Sequence, residues 1–332
     1  MFKRIDRYSL LLIATVVLAS VLPCRGVVAT VLGYATEGAI ALLFFLHGAK
    51  LSRAAIVQGL TNWRLHLLVL AITFALFPMF GLAAHGVAGQ VLAPSLASGL
   101  LFLTLLPSTV QSSIAFTSIA RGNVPAAVCS ASASNLLGIL FTPLLVALLM
   151  AGQAGGAGGV SGDEVWTIVF QLLVPFVAGH LSRPLTAGFV ERRKAMLSYV
   201  DRGSILLVVY TAFSAAVVEG LWTRVPVWQL ALVFLFCALL LAAAMLTTSA
   251  LTRRLKFDRA DAIAILFCGS KKSLAAGVPM AGVLFSPAEV GAVILPLMIF
   301  HQLQLLVCAN LAQRHADTAP REEDVEDAVI AS

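Results

Sequence analysis

The sequence predicts an all-α polytopic membrane protein, with ten transmembrane helices in two inverted five-helix repeats. Three observations predict it. The 332 residues are 60% hydrophobic and 11% charged, with a mean hydropathy of +0.96, whereas soluble domains carry about 25% charged residues. A window of about 20 apolar residues, the length of a helix that crosses a bilayer, finds ten segments. Counting those segments as crossings puts almost all basic residues on one side.

The first segment is 8–24. Lys3, Arg4 and Arg7 ahead of LLIATVVLASVLPC imitate a secretory signal. Pro23 before Cys24 makes a poor lipobox, however, and the second segment, 30–49, follows at once, so the first is read as a retained helix. The third is 64–84. The fourth, 95–119, holds Pro107-Ser108-Thr109 in its middle, and the fifth, 124–150, holds the polar run SASASN. These five make the first repeat, 1–150. A glycine-rich linker, AGQAGGAGGVSG (151–162), is expected outside the cytoplasm. The second repeat, 163–312, contains segments 163–182, 198–217, 227–250, 261–285 and 288–312. The rest, 313–332, includes REEDVED and reads as a disordered acidic cytoplasmic tail.

Charge tests the count. With the N-terminus inside, eighteen Lys and Arg fall on the inner side and only Arg25 and Arg224 on the outer. A miscounted helix would scramble that asymmetry. Both termini are therefore expected in the cytoplasm, with the chain in the cell (inner) membrane. The pI near 9.3 follows from the same asymmetry, so no nucleic-acid partner is inferred; the expected surroundings are lipid. The five cysteines are scattered singly, without metal-binding spacing. Five helices per repeat is odd, so the second copy must be inverted, an arrangement common among secondary transporters.

Two basic residues remain, Lys271 and Lys272. They sit in FCGSKKSLAAG (267–277), which aligns with LPSTVQSSIAF (106–116) when Ser113 is set against Ser273. Ending a helix at the lysines leaves 261–270, about 15 Å or half a bilayer. Only both halves together can cross, so the lysines lie near the midplane beside the helix-weakening pair Gly269-Ser270. The fourth and ninth helices are expected to be discontinuous and to present free backbone groups to a polar cavity. No acidic residue lies in the middle of a span. Two readings follow. In one, at least one lysine faces the cavity and binds an anion, helped by half-helix N-termini; in the other, one lysine is exposed and one is neutral and orders the unwound backbone.

Candidate binding residues are Gln111, Ser112 and Ser113 in the fourth helix, and Ser132, Ser134 and Asn135 in the fifth. Ser270, Lys271, Lys272 and Ser273 belong to the ninth, and His301, Gln302 and Gln304 to the tenth. The helix-five serines also suit simple close packing. His47 and His301 fit either a structural hydrogen bond or a proton relay.

LFFLHGAKLSRAAI (43–56), IARGNVPAAV (119–128) and the FCGSKKSLAAGVPM block resemble the bile acid:sodium symporter family, in its divergent symporter-like orphan branch. The resemblance covers about 1–312. It implies a panel of helices 1, 2, 6 and 7 and a core of 3–5 and 8–10, with the broken helices crossing at the substrate and ion sites. It also implies a sodium site around Ser112, Ser113 and Asn135. Where those relatives carry a sodium-binding glutamate, this chain has Phe267, and the glutamine and asparagine that follow are Lys271 and Lys272. An ammonium can stand in for the ion, so coupling to protons, or to no ion, is expected in place of dependence on sodium.

The function expected is secondary active transport of a small organic anion, with Na+ or H+ as candidate coupling ion and no cofactor. The alternative is a non-transporting sensor or regulator with the same fold. HExxH, GxGD and a serine–histidine–aspartate set are absent from the sequence, which argues against an enzyme. The identity of the anion, the direction of transport and the oligomeric state are not written in the sequence.

Overall fold

A computed structural model of the chain describes residues 7–50, 62–150 and 162–318. Among these residues every regular element is helical. In order they are α1 (Arg7–Val21), α2 (Gly26–Lys50), α3 (Trp63–Ala88), α4 (Pro94–Leu105), α5 (Gln111–Ile119), α6 (Val124–Met150) and α7 (Gly162–Arg192). Then follow α8 (Lys194–Val218), α9 (Leu221–Arg224), α10 (Val227–Arg254), α11 (Arg259–Gly269), α12 (Leu274–Leu284) and α13 (Pro287–Asp317). Seven helical stretches are long and apolar enough to cross a membrane, and α1 and α4 contribute shorter apolar ones. The chain is a multi-pass membrane protein. Large apolar side chains such as Val21, Val27, Leu148, Leu185 and Leu246 lie on its outer surface, where lipid rather than water is their natural neighbour.

Helices fall on each of the ten expected stretches, with two notable differences in length. α7 runs ten residues past the expected end at 182. α13 continues to Asp317, so residues 313–317, read from sequence as tail, are helical. Arg314 and His315 in its last turn suit the negative end of the helix dipole, and Arg259 donates to the His315 carbonyl. The linker at 151–161 and residues 319–332 lie outside the described residues.

Both interruptions have local causes. α4 starts on Pro94, whose missing N–H costs nothing in a first turn. It stops because Leu106 precedes Pro107 and is pushed to φ −78°, ψ 156°. Helix resumes at Gln111. α11 is capped at its start by Asp258, which accepts from the Asp261 amide at 2.8 Å. It ends at Gly269, and Ser273 then caps α12 by accepting from the Ala276 amide at 3.1 Å. A third irregularity was not expected. Within α3, Ile72–Leu76 forms a π-helical turn just ahead of Pro78.

α1, α2, α7 and α8 pack on one another, the α2–α7 pair most extensively. That pair touches backbone to backbone. A Cβ on Gly48 would lie 2.0 Å from the Phe176 carbonyl oxygen, and one on Gly179 would lie 1.9 Å from that of Phe45. The remaining long helices gather around α11 and α12, where 94% of the spanning window is buried. α8 joins the two groups, running along α13 and α12. At one end of the molecule Asp261 ties three elements together. Its oxygens accept from Asn62 (3.0 Å) and Asn123 (2.7 Å), and the Asn123 amide donates to the Ala260 carbonyl at 2.9 Å. The Arg121-Gly122-Asn123 turn is thus a bracket as well as a turn, with Arg121 at φ 55°.

Candidate functional site

The two helix breaks meet. Ser273 donates its amide to the Pro107 carbonyl at 2.9 Å, Ser113 donates its hydroxyl to the Phe267 carbonyl at 2.9 Å, and Ser108 donates to the Cys268 carbonyl. Free backbone groups at each break are met by the helix that follows it. Ser134 of α6 accepts from the Ser108 amide at 3.0 Å, and Thr142 donates to the Leu105 carbonyl at 2.9 Å. On the other side, Gln304 of α13 clamps Lys272 from both directions, accepting from its amide and donating to its carbonyl, each at 2.9 Å. The same Gln304 amide nitrogen lies 2.9 Å from His301 Nδ1, so this ring nitrogen is the acceptor. Buried backbone groups require such partners, and here side chains supply them.

The lysines point in opposite directions from the break. Lys272 is fully buried, and its Nζ donates to three carbonyls: Thr73 at 2.8 Å, Thr104 at 2.7 Å and Leu106 at 2.7 Å. Three acceptors match the three N–H groups of an ammonium, and Nζ also lies 4.3 Å from the centroid of the Phe77 ring. Thr73 belongs to the π turn of α3, and Thr104 and Leu106 to the frayed end of α4. Each supplies a carbonyl that a regular helix would have used itself. Lys271 is buried on the other side. Its Nζ donates to Ser112 Oγ at 3.1 Å and lies 4.4 Å from the Phe116 ring centroid.

A cavity of about 380 Å³ opens beside the crossing. From one group of helices Gln111, Ser112, Ser132, Asn135, Ser273 and His301 line it; from the other come Tyr8, His47, Lys50, Ser198, Asp201 and Arg202. Apolar walls are supplied by Leu43, Val110, Leu136, Phe176, Ile205 and Leu274. Neither lysine of the break lines it, which corrects the expectation that one faces the cavity. Both side chains are buried in packed protein, and Lys271 reaches the wall through Ser112. Ser113, Ser134, Ser270 and Gln304 are also buried in the crossing. Gln302 is half-buried on α13, away from the cavity lining.

Sequence reasoning missed the charged wall. Lys50 and Asp201 form an ion pair, and the Arg202 guanidinium sits 5.4 Å from the Tyr8 ring centroid. Lys50 and Arg202 were counted only as inner-side charges, and 151 residues separate Lys50 from Asp201.

At the sodium position that the resemblance implies, Ser112 and Ser113 both hydrogen-bond Thr109 Oγ1 at 2.9 Å, and Lys271 Nζ donates to Ser112. Among the described residues no cluster of three His, Cys, Asp or Glu could hold a metal.

Residues 6–317 match the description of the SBF-like CPA transporter family. This chain belongs to that family. Among its relatives is an uncharacterised protein of Pseudomonas aeruginosa, 58% identical over 311 residues, 94% of this chain and 93% of the relative. The Escherichia coli protein YfeH, which carries the name of a symporter, is 53% identical over 315 residues, 95% and 94% of the two chains. Mouse sodium/bile acid cotransporter 7 is 29% identical over 277 residues, 81% and 79% of the two chains. The SBF-like protein described here is therefore a transporter of the bile acid:sodium symporter type, embedded in a membrane and acting on a small molecule.

Proposed function

We propose that the protein is a secondary active transporter of a small organic anion, in which the Lys272 ammonium takes the place of a sodium ion. The observation that carries this is the cage of three backbone carbonyls around Lys272 Nζ. Helix breaks that cross inside a membrane leave carbonyls that no helix can use, and each needs a donor or a cation. A dissolved ion meets that need only when bound. A lysine is tethered at the site.

The rest of the reading takes α4 with α5, and α11 with α12, as single discontinuous crossings, which makes ten transmembrane helices in two inverted repeats, 1–150 and 163–312. The panel is then α1, α2, α7 and α8, and the core is the remainder. The cavity lies where they face each other, and rocking of core against panel would expose it alternately to the two sides. Both termini lie in the cytoplasm of the cell (inner) membrane. Inside the cavity the anion meets Lys50 and Arg202 on the panel and the polar side chains of Gln111, Asn135 and Ser273 on the core. Positive charge for the anion thus comes from the panel rather than from the break. Apolar walls favour an organic body behind the charged group.

Uptake into proteoliposomes tests this. Octanesulfonate and taurocholate serve as permanently ionised amphipathic probes, with sodium replaced by choline in a parallel series. Saturable uptake that survives choline replacement and is lost in Lys50→Gln/Arg202→Gln is expected. Uptake abolished by sodium removal would overturn the tethered-cation reading. Saturable binding of both probes without flux would favour a sensor.

A further inference from the structure

The Lys50–Asp201 pair is oddly built for a structural salt bridge. One Asp201 oxygen takes the Lys50 ammonium, while the other, Oδ1, is buried with no hydrogen-bond partner among the described residues. A buried carboxylate normally satisfies both oxygens, because an unmatched anionic oxygen bears the full cost of its lost hydration. The pair also lines the cavity, where it is accessible to a ligand: the Lys50 side chain is 31% exposed and that of Asp201 18%. We propose that Asp201 is a proton-binding site, loaded when an anionic ligand draws Lys50 away from it. This rests on the anion-transport reading.

The surrounding charges make the exchange consistent. On α8 itself the neighbour is Arg202, held over the Tyr8 ring of α1. From α2 come Lys50 and His47, the latter within electrostatic reach of both members of the pair. α13 contributes His301 to the same cavity, whose Nδ1 is engaged by Gln304. α7 and α12 bring only Phe176, Leu274 and Ala275 to the lining. Among the described residues of the lining, Asp201 is the one carboxylate.

Without ligand, the ammonium of Lys50, the guanidinium of Arg202 and the carboxylate of Asp201 leave the wall with one net positive charge. A monoanion arriving at Lys50 and Arg202 strands the Asp201 carboxylate beside a second negative charge. One proton from the aqueous side then adds to Asp201, forming the O–H bond of a carboxylic acid, and Lys50 keeps its own proton. Anion and proton together leave the net charge unchanged. Loaded and empty forms then differ by no charge, and transport is electroneutral symport of one anion with one proton.

The test uses the full chain in proteoliposomes with a trapped pH indicator, valinomycin and equal potassium on both sides. The probe is octanesulfonate, which stays ionised and cannot carry the proton itself. Wild-type protein is expected to acidify the lumen with about one proton per sulfonate, and Asp201→Asn to move sulfonate without acidification. Sulfonate flux with no acidification in wild type, or equal acidification in Asp201→Asn, overturns the proposal. If octanesulfonate does not move at all, the transport reading fails for this probe, and a ligand-free measurement decides the site. Infrared difference spectra across a pH series, with Asp201→Asn marking the relevant carboxyl band, are compared for wild type and Lys50→Met. The Asp201 band should respond to pH differently in Lys50→Met and in wild type. An unmoved midpoint overturns the proposal whatever the flux.

Discussion

Replacing Lys272 by methionine keeps the length of the side chain and removes the charge and all three donors. The structure sets opposing effects. Three buried carbonyls, those of Thr73, Thr104 and Leu106, lose their ammonium, at about 1–3 kcal/mol for each group left unsatisfied. Against this, the variant no longer holds a charge out of water, which returns several kcal/mol. The net is a loss of about 2–4 kcal/mol, with the contact to Phe77 included. Large domains shift by roughly 2–4 °C per kcal/mol, so a fall in melting temperature on the order of 4–16 °C is expected for purified protein in detergent. Lys272→Ala adds a discriminating control, since it leaves space for a small cation among the same carbonyls. Its stability should rise with sodium chloride and not with choline chloride, by up to about 3 kcal/mol at a hundredfold excess over the dissociation constant, read as a higher melting temperature. Wild type should show no such rise. A methionine variant that melts within a degree or two of wild type and transports normally would refute the caged-cation account. So would equal stabilisation of wild type and Lys272→Ala by sodium.

Three other outcomes follow from separate parts of the molecule. Ser113→Ala removes the hydroxyl that joins α5 to the Phe267 carbonyl and should cost about 1–2 kcal/mol, read by thermal unfolding; an unchanged melt would mean that the crossing is held elsewhere. Asp261→Ala releases Asn62 and Asn123 together, with an expected loss of about 2–3 kcal/mol, and Asp261→Asn should recover part of it by keeping one acceptor. Single cysteines placed at Arg192 and at Gly156 should label from opposite sides of the membrane. Labelling of both from the cytoplasm would disprove the ten-crossing topology.

Much of this was legible in the sequence because the breaks are chemical. Proline at 107 and the Gly269-Ser270 pair state where helix cannot continue, and two lysines in an apolar run state that something polar happens there. Their direction was not legible. Adjacent residues in an unwound stretch point wherever the flanking half-helices turn them, and no periodicity of the sequence encodes that rotation. The π turn at Ile72–Leu76 was equally hidden, since Pro78 is the only nearby residue that disturbs helical bonding and reads as an ordinary kink. Lys50, Asp201 and Arg202 were hidden for a different reason. They lie near segment ends, where charge is expected anyway, and their meeting depends on the packing of α2 on α8.

The glycine contacts between α2 and α7 carry a mechanical consequence. Gly48 rests on the Phe176 carbonyl and Gly179 on that of Phe45, so each backbone is keyed into the other at two points and neither helix can slide without lifting clear. The pair is a stiff board, so the rocking proposed above would flex where the chain leaves the board's group for the rest. Three strands of chain make that passage. Two, around 51–61 and 151–161, lie outside the described residues, and the third is Glu219–Pro226, where Gly220 takes φ 86° and opens the one-turn helix α9. A left-handed glycine followed by a single turn is a compliant joint beside rigid beams. Stiffening it, by Gly220→Ala for example, would slow the swing of the board and leave the cavity and its chemistry untouched.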